Sequence, residues 1–160
     1  MYRKFAKKRE ESAQMLDELD TKILKLLSKN SKLSYRQIAS FLNISTNTVI
    51  KRIRNLEKEG IIKRYTIEVN QEKIGYDLFA IIEITVSKGK LVEVEKEIAK
   101  KENVCAVYDV TGLTDAFIVA KFRNRKELND FVKLLLSMPY IERTNTHLVL
   151  NIFKQDFSEV

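Results

Sequence analysis

The sequence predicts an α+β protein in two parts, three short helices followed by a four-stranded sheet carrying two helices, and three observations predict it. The first is charge. Residues 1–70 hold 16 Lys and Arg against 8 Asp and Glu, a balance of +8, whereas residues 71–160 hold 13 against 14, a balance of −1. The second is helical periodicity in the first half, where apolar residues recur at i, i+4, i+7 and i+8. The third is the β-α-β-β-α-β order of strand-like and helix-like stretches beyond residue 77. At 160 residues and 44% hydrophobic, the chain is long enough for two small cores.

Composition removes several chemistries. Cys105 is the only cysteine, so neither an intrachain disulfide nor a multi-cysteine metal site can form. His147 is the only histidine, which excludes histidine metal clusters. No catalytic residue, metal or cofactor is expected. No apolar run approaches the roughly 18 residues of a membrane span. The opening MYRKFAKKREES lacks the apolar core of a secretory signal, so a cytoplasmic location is expected.

Residues 1–15 read as a basic extension, either a solvated tail or a non-specific phosphate contact. Residues 16–62 form the first domain. Leu19, Ile23, Leu26 and Leu27 share one helical face, with Asp17 and Asp20 near the helix start, where the backbone dipole favours negative charge. A second helix starts at Ser34, whose spacing to Gln37 is that of a capping box, and buries Ile38, Ala39 and Leu42. Asn43 and Ile44 turn the chain. Ser45 caps a third helix, with Ile44 and Val49 spaced as a hydrophobic staple and Gly60 as its left-handed stop.

In that third helix Val49, Ile53 and Leu56 face inward, leaving Thr46, Asn47, Thr48, Lys51, Arg52, Arg54 and Asn55 outside. Small hydrogen-bonding side chains on the first turn, followed by cations, suit a recognition helix: the first meet base edges and the second reach phosphates. This is a helix-turn-helix pattern. With the second helix's first turn and both caps included, the expected DNA-binding set is Ser34, Tyr35, Arg36, Ser45, Thr46, Asn47, Thr48, Lys51, Arg52, Arg54 and Lys63. Next, IIKRYTIEV alternates like a strand. It reads either as a wing touching the DNA backbone through Lys63 and Arg64 or as a plain connector. Residues 63–76 are assigned as strand and hinge, the hinge being the polar, glycine-containing NQEKIGYD.

Residues 77–160 form the second domain, ferredoxin-like in its βαββαβ order. DLFAIIEITVSK is its first strand and LVEVEKEIAKK its first helix, followed by the strands VCAVYDVTG and TDAFIVAKF. RKELNDFVKLLLS is its second helix and RTNTHLVLNIFK its last strand. Cys105 is expected as a small buried hydrophobe. The first strand is apolar on both sides, with Ala80, Ile82, Ile84 and Val86 opposite Phe79 and Ile81, and Phe117 and Val119 likewise oppose Ile118, Ala120 and Phe122. Helices cover one side of such a sheet. The other is expected to pack on a second copy, as a homodimer or a larger closed assembly. Two heads ~34 Å apart would read a palindrome, which one short helix is too small to specify.

These motifs in this order resemble the Lrp/AsnC (feast/famine) regulators of bacteria and archaea. The resemblance covers residues 16–155 and rests on LDELDTKILKLLSKN, LSYRQIASFLNISTNTVIKRIRNLEKEGIIKRYTIEVN, QEKIGYD, VYDVTGLTD with FIVAKF, and MPYIERTNTHLVL. It implies a (winged) helix-turn-helix domain with a RAM-type sensor domain, assembled from dimers, often to an octamer, on double-stranded DNA. It also implies a small effector, commonly an amino acid, held at a subunit interface by the loop Gly112, Leu113, Thr114 and Asp115, with Thr144 and Thr146 supplying further hydrogen bonds. Asp115 would pair with an α-ammonium group. Where the family often carries Asp-Tyr in that loop, this chain has Leu113-Thr114.

The leading expectation is therefore a sequence-specific transcriptional regulator modulated by a small effector and not an enzyme. Two alternatives stand beside it. One is an architectural DNA-binding protein without an effector. The other is an enzyme of the haem-precursor decarboxylase kind, which depends on sensor-domain histidines and finds only His147 here. Abundant Lys, Glu and Ile with a single cysteine suit a thermophilic archaeal source.

Overall fold

The computed structural model describes residues 16–157 apart from Lys88, so the basic extension over residues 1–15 lies outside the described residues. The described chain divides into two compact units, one of residues 16–68 with 155–157 and the other of residues 69–154.

The first unit holds α1 (Glu18–Lys29), α2 (Tyr35–Leu42) and α3 (Thr46–Lys58). Each helix begins on a side chain that satisfies its free backbone donors. Asp17 accepts from the Asp20 amide at 2.8 Å, and Asp20 accepts in return from the Asp17 amide. Ser34 and Gln37 make the expected reciprocal pair, and Ser45 accepts from the Thr48 amide at 3.1 Å. Two helix ends close in the same way. Asn43 at φ +53° ends α2, with the Ile44 amide on the Ala39 carbonyl. Gly60 at φ +69° ends α3, with the Gly60 and Ile61 amides on the carbonyls of Glu57 and Leu56. Those paired bonds form a Schellman motif, and the left-handed residue is where a glycine or asparagine is strained least. Ile23, Ile38, Val49 and Ile53 are fully buried with Leu27, Ala39 and Leu56 around them, and Ile44 packs on this core from its staple position. Each such large aliphatic side chain contributes about 1.5–3 kcal/mol by leaving water.

The second unit contains β1 (Leu78–Val86), α4 (Leu91–Ile98), β2 (Val104–Asp109), β3 (Ala116–Phe122), α5 (Arg125–Ser137) and β4 (Ile141–Leu148). The sheet order is β2-β3-β1-β4 with every pairing antiparallel, the ferredoxin-like arrangement. Side chains alternate across a strand, so Ala80, Ile82, Ile84 and Val86 pack with Ala116, Ile118, Ala120 and Phe122 beneath Val94, Ile98, Phe131 and Leu135 of the helices. Phe122 and Phe131 meet with ring centres 5.5 Å apart, tilted by 52°. The opposite face carries Phe79, Ile81, Phe117 and Val119, half-buried or exposed.

Three expectations are corrected, and the hinge segment is found to be structured. Residues 63–69 form no strand within the chain. Instead, Ile61 and Ile62 pack on the first core, and the Tyr65 hydroxyl donates to Glu57 at 2.9 Å. The segment read as the hinge between the domains contains a 3-10 turn, Glu72–Ile74. It is fastened to β3: the Lys121 ammonium donates to Gln71 at 2.8 Å and lies 4.3 Å from the centre of the Tyr76 ring. The last strand starts at Ile141 and stops at Leu148, short of NIFK, where Leu150 and Phe153 are exposed. Cys105 is exposed at an irregularity of the β2–β3 pairing and is not in the core.

Candidate nucleic-acid interface and effector loop

At 3.6 residues per turn, burying Val49, Ile53 and Leu56 turns one stripe of α3 to solvent. Asn47, Lys51, Arg54 and Asn55 lie on it, all exposed. Lys58 belongs to the same stripe, seven residues after Lys51 and four after Arg54, and is also exposed. It is absent from the set assigned by sequence, although helical spacing alone would have found it. Among the described residues no ion pair holds Lys51, Arg54 or Lys58. Their charges are open to a polyanion.

The remaining assigned residues take other positions. Tyr35 and Arg36 are exposed on the first turn of α2. The hydroxyls of Ser34, Ser45 and Thr48 serve the helix ends: Ser34 bonds Gln37 at 2.9 Å, and Ser45 meets Thr48 at 2.8 Å. Thr46 is half-buried, and Lys63 is exposed on the extended segment after α3. Arg52 turns the other way. Its guanidinium pairs with Asp17 and reaches Asp20 at 3.2 Å, joining α3 to the start of α1. The capping bond from the Asp20 amide, helped by Arg52, holds the Asp17 carboxyl below its usual range. Behind the helix, burial and then Glu57 push the Tyr65 phenol up to about 12.

The loop assigned to an effector closes on the end of β1. Thr114 donates its hydroxyl to the Ile84 carbonyl at 2.8 Å, and the Asp115 amide donates to that same carbonyl at 3.0 Å. The Asp115 carboxylate accepts from the Val86 amide at 2.8 Å, and the Val110 amide donates to the Asp115 carbonyl. Gly112 sits at φ +134°, a region that favours glycine, and Leu113 is fully exposed. Thr144 lies opposite Ile84 across the β1–β4 ladder, and Thr146 lies opposite Ile82. The structure thus gathers Thr114, Asp115 and Thr144 around one end of β1, while Thr146 stands further along. Two cavities, of about 520 and 400 Å³, lie in the first unit among Asp17, Leu19 and Phe41 and among Leu27, Tyr35 and Tyr65, and the loop lines neither.

The open sheet face also carries polar residues, among them Glu83, Asn145 and His147. His147 meets Glu83 at 2.8 Å and Asn145 at 3.1 Å. The single histidine is held as a strand residue by hydrogen bonds along and across the strands.

Comparison with known proteins agrees with this division. Residues 16–63 match a family profile described as winged helix-turn-helix DNA-binding, and residues 79–159 match one described as Lrp/AsnC ligand binding domain. An HTH-type transcriptional regulator of Pyrococcus abyssi is 50% identical over 143 residues, covering 89% of this chain and 97% of its own. The structure is similar to that of LrpC from B. subtilis, with a TM-score of 0.79 and 30% identity, covering 88% of this chain and 99% of that one. It is also similar to a transcriptional regulator from Neisseria meningitidis in complex with L-methionine, with a TM-score of 0.83 and 27% identity, covering 89% and 95%.

Proposed function

The chain belongs to the Lrp/AsnC family of transcriptional regulators, with a DNA-binding helix-turn-helix and a ligand-binding domain, and from that premise we propose that it is a sequence-specific regulator working as paired heads under the control of a small amino acid. The observation that carries the reading is the exposed α3 stripe of Asn47, Lys51, Arg54, Asn55 and Lys58. Two hydrogen-bonding amides stand among three cations that have no ion-pair partner among the described residues. Cations supply affinity for any phosphate backbone, while amides near a helix start can read base edges.

The open sheet face supports the pairing of heads. Phe79, Ile81, Phe117 and Val119 form an apolar strip whose cover by a second copy would remove it from water. A homodimer is the assembly this supports, and the resemblance to the family is what extends it to an octamer. The loop over Gly112–Asp115 would then meet the second copy's surface, and an amino acid seated there would shift head spacing only by its differential affinity for two arrangements. The regulator from Neisseria meningitidis was solved with L-methionine. That favours an amino acid as the ligand class. A cytoplasmic location goes with this reading, because the chromosome lies there. Separately, no helix among the described residues is long and apolar enough to cross a membrane.

Footprinting on a genomic fragment that the protein binds tests this. Two protected major-groove patches centred about 34 Å apart along one face of the duplex are expected. A single patch, or featureless protection of the whole fragment, would overturn paired specific reading and favour the architectural alternative.

A further inference from the structure

The structure assigns Arg52 a positioning role: it sets the angle of the recognition helix against α1 through Asp17 and Asp20, and it makes no contact with DNA. The inference rests on the α3 interface proposed above. Arg52 stands three residues after Val49 and four before Leu56, at the border of the buried stripe and away from Lys51 and Lys58. From there its side chain reaches back across the core to the first turn of α1.

The partners explain why a cation is needed at that place. α1 opens on a capping box built from two aspartates, with Asp17 as the cap and Asp20 three residues on. Asp20 is the one charged residue buried in either core among the described residues, at 6% exposure. Two carboxylates so near each other repel, and taking one out of water costs more still. Arg52 bonds both. All of these contacts run from one guanidinium nitrogen, Nη1, which stands one bond further from the backbone than a lysine ammonium, so a lysine at this place falls short of both carboxylates. Its own charge is therefore spent inside the head and is not offered to phosphate.

Two opposite signs follow. Removing a carboxylate near a DNA-binding face normally tightens binding, because a repulsive charge disappears. If Asp20 and Arg52 position α3, removing either must loosen binding. Salt dependence gives a second discriminator: each phosphate that the protein no longer neutralises reduces the slope of log K against log salt by about 0.9.

The test measures affinity and salt slope on a duplex fragment selected for binding by the wild-type protein, with thermal melting of every variant as the folding control. Asp20→Asn should weaken binding at least fivefold. Arg52→Gln should weaken it similarly with an unchanged slope, and the double variant should lose less than the product of the single losses. Arg52→Lys should recover only part of the affinity. If Arg52→Gln lowers the slope as far as Lys51→Ala does, or if Asp20→Asn tightens binding, the positioning role is overturned. Should those variants fail to fold, Asp17→Asn keeps a capping side chain and carries the same decision on sign. If Lys51→Ala itself leaves the slope unchanged, the α3 interface is what fails.

Discussion

Replacing Asp115 with alanine separates two roles that one carboxylate can hold. It accepts the Val86 amide at 2.8 Å in a partly buried setting, where the loop between β2 and β3 closes on the end of β1. Alanine removes the acceptor and strands that amide. A hydrogen bond to a charged group is worth about 1.5–3 kcal/mol, and partial exposure places this one near 2. In a domain of this size each kcal/mol moves the melting temperature by about 4–8 °C, so a fall of roughly 8–16 °C is expected. Asparagine keeps an oxygen at the same place and loses only the charge, so Asp115→Asn should be about 1 kcal/mol less stable than the wild type. It would still lack the negative partner for an α-ammonium group. Thermal denaturation followed by circular dichroism reads the first effect, and amino-acid-dependent DNA binding reads the second. If Asp115→Ala melts within about 2 °C of the wild type, that hydrogen bond does not fasten the loop to β1.

Three further outcomes are expected. Tyr140 holds φ +76°, a left-handed conformation that costs a side-chain residue about 1–2 kcal/mol. Although its exposed ring would no longer meet Lys90, Tyr140→Gly should still raise the melting temperature by a few degrees, whereas Gly112→Ala, at φ +134°, should lower it. Glu95 keeps one buried oxygen without a hydrogen-bond partner, and burial, then Asp109, push its carboxyl above the usual range. A raised carboxyl means the folded state holds the proton more tightly, so its contribution is full below the unfolded value and falls as pH rises past it. Glu95→Gln should therefore stabilise at pH 7 and flatten the pH–stability profile. In an ultraviolet phenolate titration, the Tyr65 signal near 12 should vanish in Tyr65→Phe, and the wild type should lose stability between pH 10 and 12, where the folded state still binds the proton.

The parts of the fold that local chemistry decides were legible in the residues. Ser34 with Gln37, Ser45 with Ile44 and Val49, and Gly60 mark helix ends because each satisfies or terminates its own turn. Alternation across β1 and β3 revealed both faces of the sheet, since a strand has only two. What stayed hidden depends on distant partners. IIKRYTIEV has the alternation of a strand, yet no strand in the same chain runs beside it, and alternation carries no information about a neighbour. The polar run NQEKIGYD reads as a hinge until Lys121, fifty residues on, is seen bonded to Gln71. Arg52 looks like one more outward cation, because a wheel drawn on α3 alone does not show the aspartates of α1. Lys58 differs: it sits in the last turn of α3, and the spacing that places Lys51 and Arg54 outward places it there too. The loop at Gly112–Asp115 was assigned through family resemblance. The bond from Val86 to Asp115 could not have been read from spacing.

Binding to a set of genomic fragments across salt concentrations, with a panel of amino acids present, asks directly whether the α3 stripe reads particular DNA sites and whether a small amino acid changes how well it does so. Tight binding to a few fragments, weakening linearly on a log–log salt plot and shifted by one amino acid, is the predicted result. Uniform affinity for every fragment, strongly salt-dependent but indifferent to every amino acid, would contradict it and leave the second domain as an assembly device.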